Sequence, residues 1–198
     1  MTYLSFAEKK IPLKIFGKHN LVNLEGAKNI CLQLGITDNE FYDAIQSFAG
    51  ASKRLELIKG NEYTSVYKDF AHSPSKLEAT IHAVKEQFPE RKLIACIELH
   101  TFSSLTKEFL KQYENTMNEP DIAVVYFNPH TLEHKKLPPI SEKDIKHTFG
   151  RNDLLVFTDS HEMEKFLEIQ EWKNANLLMM SSGNFDGIDF LKLAEKLT

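Results

Sequence analysis

The N-terminal part of the chain carries a helical pattern of apolar positions. Over residues 20–34 the apolar side chains recur at spacings of three and four, and a glycine follows as a typical helix stop. Thr37 followed by Glu40 matches a capping box, which predicts a second helix ending near Gly50. Two short helices are therefore expected before residue 53.

From residue 54 the apolar positions alternate instead. Two such runs, Arg54–Ile58 and Tyr63–Asp69, predict a β-hairpin. Further along, short apolar runs separated by amphipathic segments predict strands at 92–97, 122–127, 154–157 and 177–180, and helices near 75–88, 104–117, 160–171 and 187–197. The polar stretch 128–139 is expected to be a mobile loop.

Strands separated by helices in this way run parallel, because each helix carries the chain back across the sheet. The predicted fold class is α/β: an open, mostly parallel sheet with helices on both faces, preceded by an N-terminal hairpin and a short, mainly helical segment from a preceding domain. Ligands of such sheets bind past the carboxyl ends of the strands. The segments at these ends are rich in short polar side chains, which suits either a binding site or ordinary turns: 69–75, 98–104, 128–134 and 181–187.

Composition and charge narrow the function classes. The 198 residues are 42% hydrophobic, enough to bury a core in one domain or two small ones. The net charge of -4 argues against nucleic acid or a membrane surface as a partner. Because no apolar run suits a membrane span or a secretory signal, a cytoplasmic location is expected. Cys31 and Cys96 lie in apolar patterns, so both are expected to be buried, and no metal-binding residues are predicted.

Candidate chemistry lies at two helix entrances. Asn20 and Asn23 share one face of the first helical turn, where amides and free backbone N–H groups bind an anion or a base edge. Capping is the alternative role for Asn20. Asp69 at a strand end could accept from ribose hydroxyls, and His72 could bind a phosphate or substrate group, unless both merely shape a turn. No phosphate-binding loop of the G-x-x-x-x-G-K-[ST] type occurs, so the main phosphate cradle of an ATP site would lie outside this chain.

Four motifs follow one another in a recognisable order: GKHNLVN at 17–23, FAGASKRLE at 48–56, DFAHSPSKLEAT at 69–80 and MSSGNFDGI at 180–188. Together they resemble the ATP-dependent Mur ligases of peptidoglycan synthesis. The resemblance covers nearly the whole chain. It implies that residues 1–52 are the C-terminal end of the central ATPase domain and that residues 53–198 form the Rossmann-like C-terminal domain.

The resemblance also implies roles for individual residues. His19, Asn20 and Asn23 would contact the adenine and phosphates of ATP, and Arg54 would contact ATP as well. Asp69 matches the nucleotide-sugar contact, and His72 matches the histidine that faces the reacting amine. Lys53 departs from the family's first arginine, which leaves the role of this position open. The matching positions at the other strand ends would contact substrate: His100, Thr101, Ser104, Ser182 and Asn184.

Within the family, the resemblance favours one amine substrate. In the branch that adds free L-alanine, the segment matching 98–104 resembles Gln-Pro-His-Arg-Tyr-Thr-Arg. Its two arginines form a fork suited to a carboxylate. Here Thr101 and Ser104 stand in their places. The resemblance therefore favours the tripeptide L-Ala-γ-D-Glu-meso-diaminopimelate, used in peptidoglycan recycling, with L-alanine as the alternative.

The implied reaction joins this amine to UDP-N-acetylmuramate through an acyl phosphate. ATP and Mg²⁺ would be the cofactors, with the metal ligands mostly outside this chain. The partners would be the remaining N-terminal and central domains of the ligase. By itself the chain is expected to be inactive. A non-catalytic binding module of the same fold is the alternative, whereas an unrelated hydrolase is disfavoured because no G-x-S-x-G motif is present.

Overall fold

The computed structural model describes residues 2–198 and contains two sheets and eight α-helices over that range. The strands are β1 (Thr2–Phe6), β2 (Lys9–Leu13), β3 (Glu56–Gly60), β4 (Thr64–Asp69), β5 (Lys92–Glu98), β6 (Ile122–Tyr126), β7 (Leu155–Phe157) and β8 (Ala175–Met180). The helices are α1 (Lys18–Gln33), α2 (Asp38–Ile45), α3 (Pro74–Gln87), α4 (Lys107–Leu110), α5 (Pro129–His134), α6 (Glu142–Phe149), α7 (Ser160–Glu168) and α8 (Phe190–Leu197). Over these residues, no helix is long and apolar enough to cross a bilayer.

The larger sheet has six strands in the order β3-β4-β8-β5-β6-β7. Only the β3–β4 pair is antiparallel, and the other four pairs are parallel. The predicted α/β fold, its hairpin and its parallel strands are thereby confirmed. Because all parallel strands point the same way, their carboxyl ends lie along one edge of the sheet, and this edge collects the polar segments that follow β4, β5, β6 and β8.

Alternate residues of the central strands face two separate cores. Ala95 and Ile97 of β5 pack in the core covered by α3 and α6, whereas Ile94 and Cys96 pack in the core covered by α7 and α8. This period of two is what a strand buried on both faces requires. Because helices pack on both faces of the sheet, the strands hold the loops at its carboxyl edge in fixed positions.

The N-terminal segment is a hairpin and two helices docked against the larger sheet. Its own core is small and consists of Leu13, Ile15, Leu24 and Phe41, with partly buried neighbours. Phe16 reaches out of it and packs edge-on against Tyr67 and Phe88, at ring-centroid distances of 5.6 and 5.9 Å. The predicted fold included an N-terminal hairpin, and β1–β2 is such a hairpin, although no strand was predicted within residues 2–13. The capping box predicted at Thr37 and Glu40 is present and begins α2.

Gly17 permits the close docking of α1 on α3. Its φ of 86° lies in the left-handed region, and a Cβ placed there would come within 2.7 Å of the Ala83 Cβ on α3. Only a residue without a side chain fits both conditions. The first turn of α1 therefore lies directly against α3.

Three local expectations were wrong. The helix expected at 104–117 is broken into two single 3₁₀ turns and the short α4, because Thr106 caps a new turn by accepting from the Phe109 N–H. The stretch 128–139 is not simply a loop, since Asn128 caps α5. Cys31 is only half-buried, whereas Cys96 is fully buried as expected.

Candidate functional site

A cavity of about 740 Å³ lies between the N-terminal helices and the larger sheet's domain. The predicted nucleotide contacts all line it: His19, Asn20, Asn23, Arg54 and Asp69. The helices α1, α2 and α3 provide its walls through Leu24, Ala27, Ile45, Ala79 and Thr80, among others. Residues that are separated by up to fifty positions in the sequence thus share one site.

The first turn of α1 presents polar groups to the cavity. Its N-cap, Gly17, offers no side chain to the helix, and the turn contains no acidic residue. The Asn20 amide donates to the Phe16 carbonyl at 2.9 Å, which fixes the chain entering the helix. Asn23 is exposed one turn further on. Free N–H groups in a helical turn that contains no acidic residue favour an anion at this helix end.

Arg54 lies in a tightly bent segment before β3. Its neighbours Lys53 and Leu55 have φ values of 56° and 45°, in the left-handed region that non-glycine residues rarely adopt. The guanidinium lies over the Phe70 ring at 5.9 Å from its centroid, and the side chain is otherwise exposed to the cavity. Such backbone strain clusters at functional sites, where the surrounding structure must hold it.

Asp69 holds this bent segment in place. Its Oδ2 accepts from the Leu55 N–H at 2.5 Å and its Oδ1 accepts from the Ala71 N–H at 2.6 Å. Burial raises the pKa of Asp69, an effect opposed by these two hydrogen bonds and, more weakly, by His19 and Arg54. Asp69 therefore connects Arg54 to the end of β4 and shapes the cavity wall.

His19 is half-buried beside these charges. Burial lowers the pKa of its imidazole below the ordinary value of 6.5, Asp69 opposes this shift, and Arg54 adds to it. The neutral form is therefore favoured in the folded protein. Its contribution to stability is complete above pH 6.5 and is lost as the pH falls towards the lowered pKa.

We expect His19→Gln to flatten this pH dependence. Below about pH 6.5 the free energy of unfolding of the wild-type protein should fall more steeply than that of the variant, because only wild type carries an imidazole that binds a proton less readily when folded than when unfolded. Urea unfolding at several pH values measures the difference. His161→Gln on the exposed face of α7 is the matched control, and equal slopes for wild type and His19→Gln would contradict the expectation.

His72 follows β4 and lies at the carboxyl edge of the sheet. Its Nδ1 lies 2.8 Å from the Phe70 carbonyl, which can only accept, so Nδ1 carries the proton. In the neutral ring the lone pair is then on Nε2. Tyr113 donates its hydroxyl to the His72 carbonyl at 2.5 Å and fixes the backbone. The geometry thus leaves one basic nitrogen for a ligand.

The ends of β5 and β8 are tied together by a buried carboxylate. Glu98 accepts from the Ser181 hydroxyl and from the Phe185 N–H, and its other oxygen lies 3.5 Å from the His100 Nδ1. Sequence reasoning did not assign Glu98 a role, although an acidic residue ending an apolar strand was the available signal. His100 and Asn184 are exposed at this edge, and Ser182 is half-buried.

Thr101 and Ser104 bond to one another. The Thr101 hydroxyl lies 2.9 Å from the Ser104 hydroxyl and accepts from the Ser104 N–H at 3.1 Å. Ser104 is 1% exposed. Its position makes it a turn-forming residue, and the prediction that it contacts substrate receives no support from this geometry.

The hydrogen bonds that Glu98 accepts from Ser181 and Phe185 require a residue without a side chain at position 183. A Cβ at this position would lie 2.8 Å from Glu98 Oε2 and 3.2 Å from the His100 ring. We expect Gly183→Ala to lower the free energy of unfolding by about 1–3 kcal/mol, because the anchored carboxylate has no free space to move into. Chemical denaturation measures this change.

Gly26→Ala is the matched control, since no atom lies within 4 Å of a Cβ added there on α1. Removing a glycine from the middle of a helix should stabilise the protein by up to about 1 kcal/mol. Opposite signs for the two substitutions are expected. A Gly183→Ala variant as stable as wild type would contradict the tight contact with Glu98.

The family follows from the match to known sequences. Residues 53–183 match the family model described as Mur ligase, glutamate ligase domain. The chain belongs to the Mur ligase family. The resemblance drawn from the four motifs is thereby confirmed at the level of the family.

Several Mur ligases are similar to most of the chain. A UDP-N-acetylmuramate–L-alanine ligase from Ruthia magnifica subsp. Calyptogena magnifica is 26% identical over 89% of this chain and 39% of the relative. A ligase of the same name from Agathobacter rectalis is 29% identical over 92% of this chain and 40% of the relative. The chain thus spans about two fifths of the length of these curated relatives.

Solved structures share the fold. UDP-N-acetylmuramate–alanine ligase from Thermotoga maritima superimposes with a TM-score of 0.68 at 19% identity, covering 96% of this chain and 39% of that one. A murein peptide ligase from Psychrobacter arcticus gives 0.57 at 21% identity, with the same shares covered. These structures confirm the Rossmann-like Mur ligase fold. The two curated relatives named above are alanine ligases, so the favoured tripeptide specificity finds no support in those sequences.

Proposed function

We propose that the chain is the C-terminal portion of an ATP-dependent ligase that joins a cell-wall peptide to UDP-N-acetylmuramate. Residues 1–52 would end the central ATPase domain, and residues 53–198 would form the C-terminal domain that closes over the nucleotide. The observation that carries the proposal is the single cavity shared by His19, Asn23, Arg54 and Asp69.

The cavity suits a nucleotide. Its volume of about 740 Å³ lies within the range of about 300–1,000 Å³ typical of small-molecule sites. The Arg54 guanidinium supplies a positive charge, and the first turn of α1 supplies N–H groups and contains no acidic residue. The apolar wall formed by Ile15, Phe48 and Ala27 is available to a base.

The described residues do not form a site for Mg²⁺. Among residues 2–198 there is no group of three side chains able to hold a metal ion, and both oxygens of Asp69 already accept backbone N–H groups. Mg²⁺ prefers several oxygen ligands, waters and phosphates. The Mg²⁺ expected with ATP would therefore be held by the phosphates, by waters and by ligands outside these residues.

The residues of the cavity and those of the sheet edge have different roles in the proposed ligation. Arg54 offsets the negative charge of the phosphates, and Asp69 holds the Arg54 segment in position. His72 faces the incoming amine with its unprotonated Nε2 and accepts a proton as the amine attacks the acyl phosphate. The amide bond forms as phosphate leaves.

The amine substrate is proposed to be L-Ala-γ-D-Glu-meso-diaminopimelate. Thr101 and Ser104 bond to each other where the L-alanine branch is expected to have two arginines, so no guanidinium fork forms there. An attacking peptide needs no such fork at its first residue, whose carboxyl is already an amide. Free L-alanine remains the second candidate, because the similar curated relatives are alanine ligases.

ADP release by the ligase that carries this chain tests the proposal. With ATP and UDP-N-acetylmuramate present, adding the tripeptide should start ADP release, and Arg54→Ala should reduce the rate about tenfold or more through weaker ATP binding. Lys59→Ala on β3, outside the cavity, is the control. Stimulation by L-alanine alone would select the second candidate. Full activity of Arg54→Ala would contradict the site, and absence of any ADP release would favour a non-catalytic binding module.

A further inference from the structure

Two cationic side chains line the cavity between α1 and α3. Arg54 comes from the bent segment before β3, and Lys76 comes from the first turn of α3. Asp69 is the one carboxylate among the described lining residues, and both of its oxygens already accept backbone N–H groups. The chain as a whole has a net charge of -4. A cavity whose charged lining is mainly cationic therefore differs from the rest of the surface and favours an anionic ligand.

Lys76 is the cation of this cavity that has no partner. The Arg54 guanidinium lies over the Phe70 ring, at 5.9 Å from its centroid. The Lys76 side chain is exposed, and within residues 2–198 its ammonium has neither a hydrogen bond nor an ion pair. All three N–H groups of this ammonium are therefore available to a ligand in the cavity.

The position of Lys76 is unfavourable for α3 itself. Lys76 is the third residue of the helix, where the positive end of the helix dipole repels a cation. The first turn contains no acidic residue, and the Ser73 side chain makes no capping hydrogen bond. Lys192 occupies the same position in α8, but there the N-cap residue Asp189 lies 3.6 Å from the ammonium.

The contrast between the two helices shows what α3 lacks. In α8 the charge of Lys192 is offset by the carboxylate of Asp189, whereas the charge of Lys76 is offset by no group in the described part of the chain. Residues that break a local stability rule without compensation are expected at functional sites. A bound anion at the start of α3 would supply the missing compensation.

We propose that Lys76 binds a phosphate group of the nucleotide, in addition to Arg54, and that the phosphate offsets the charge at the start of α3. This inference rests on the proposed nucleotide-dependent function of the cavity. The phosphate chain carries more than one negative charge, which exceeds what the single guanidinium neutralises. The first N–H groups of α3 have no acceptor within the helix and lie at the same end as the ammonium.

Calorimetric titration of the complete ligase tests the contact. Lys76→Met should raise the Kd for ADP about tenfold, because it removes a charge-assisted hydrogen bond. The Kd for adenosine, which has no phosphate, should change less than about twofold. Lys76→Arg should restore most of the affinity for ADP. Lys192→Met, at the same helix position outside the cavity, should match wild type with both ligands.

Two outcomes of this titration would overturn the proposal. An unchanged Kd for ADP would show that the ammonium does not contact the nucleotide. Equal losses of affinity for ADP and adenosine would show that Lys76 contacts the base or the sugar, or that it shapes the cavity.

Urea unfolding of the ligand-free ligase tests the cost to α3. Lys76→Met should unfold at a higher urea concentration than wild type, because it removes an unpaired cation from the positive helix end. Lys192→Met removes a paired cation and should not gain stability. A Lys76→Met variant less stable than wild type would show that the ammonium is already compensated in the free protein, which would contradict the proposal.

The same measurements separate this inference from the ligase function. Binding of ADP that depends on Lys76, without ADP release on adding the tripeptide or L-alanine, would refute the proposed function and leave the phosphate contact standing. Ligase activity with an unchanged Kd for ADP in Lys76→Met would do the reverse. Absence of ADP binding by wild type would overturn both.

Discussion

Replacing Asp69 by asparagine should lower the free energy of unfolding by about 2–3 kcal/mol. The two carboxylate oxygens each accept a buried backbone N–H, from Leu55 and from Ala71. Asparagine has one acceptor oxygen, so its NH₂ group must face one of these donors and leave it unsatisfied. The relief from burying a charge, seen in the raised pKa of Asp69, offsets only part of this loss.

Urea unfolding compares Asp69→Asn with Asp43→Asn, which changes an exposed carboxylate on α2. The control should differ from wild type by less than about 0.5 kcal/mol. Because Leu55 adjoins Arg54, the Asp69→Asn variant should also lose nucleotide affinity under conditions where it remains folded. An Asp69→Asn variant as stable as wild type would show that the carboxylate does not hold the bent segment.

Replacing His72 by glutamine should reduce kcat of the ligase about 100-fold, within the range of about 10²–10⁴ typical of general acid–base catalysis. Glutamine can still donate to the Phe70 carbonyl but has no basic nitrogen to accept the amine proton. The KM for ATP should change little, since His72 does not line the nucleotide cavity. Steady-state ADP release measures both parameters.

His82→Gln is the control for this substitution. His82 lies on the exposed side of α3, where it pairs with Glu119 at 3.1 Å, and its replacement should leave kcat unchanged. A reduction in kcat of less than about threefold for His72→Gln would show that His72 does not accept the amine proton.

The sequence predicted the framework because its strongest signals are local. The capping box at Thr37, the helix predicted at 20–34 and the strand predicted at 63–69 rest on signals from neighbouring residues, and all three elements are present in the structure. The grouping of Asn23, Arg54 and Asp69 was suggested by motif order alone. The structure brings the three together, while their binding roles remain the proposal made above.

The features that the sequence did not predict depend on contacts between distant segments. Tyr113 stacks on Phe149 of α6 at 5.2 Å, and this packing fixes the broken turns at 103–113 where a continuous helix was expected. Each strand of the β1–β2 hairpin has only five residues, of which only Ile11 and Leu13 are buried, so its period-two signal is short. Ser104 is buried and hydrogen-bonded to Thr101, a contact that no spacing rule predicts.

A crystal structure of the ligase with bound ADP tests the central claim most directly. The account predicts that the nucleotide occupies the cavity between α1 and α3, with its phosphates beside Arg54 and its base or sugar near Asn23. Well-ordered ADP bound elsewhere, with this cavity filled only by solvent, would contradict it.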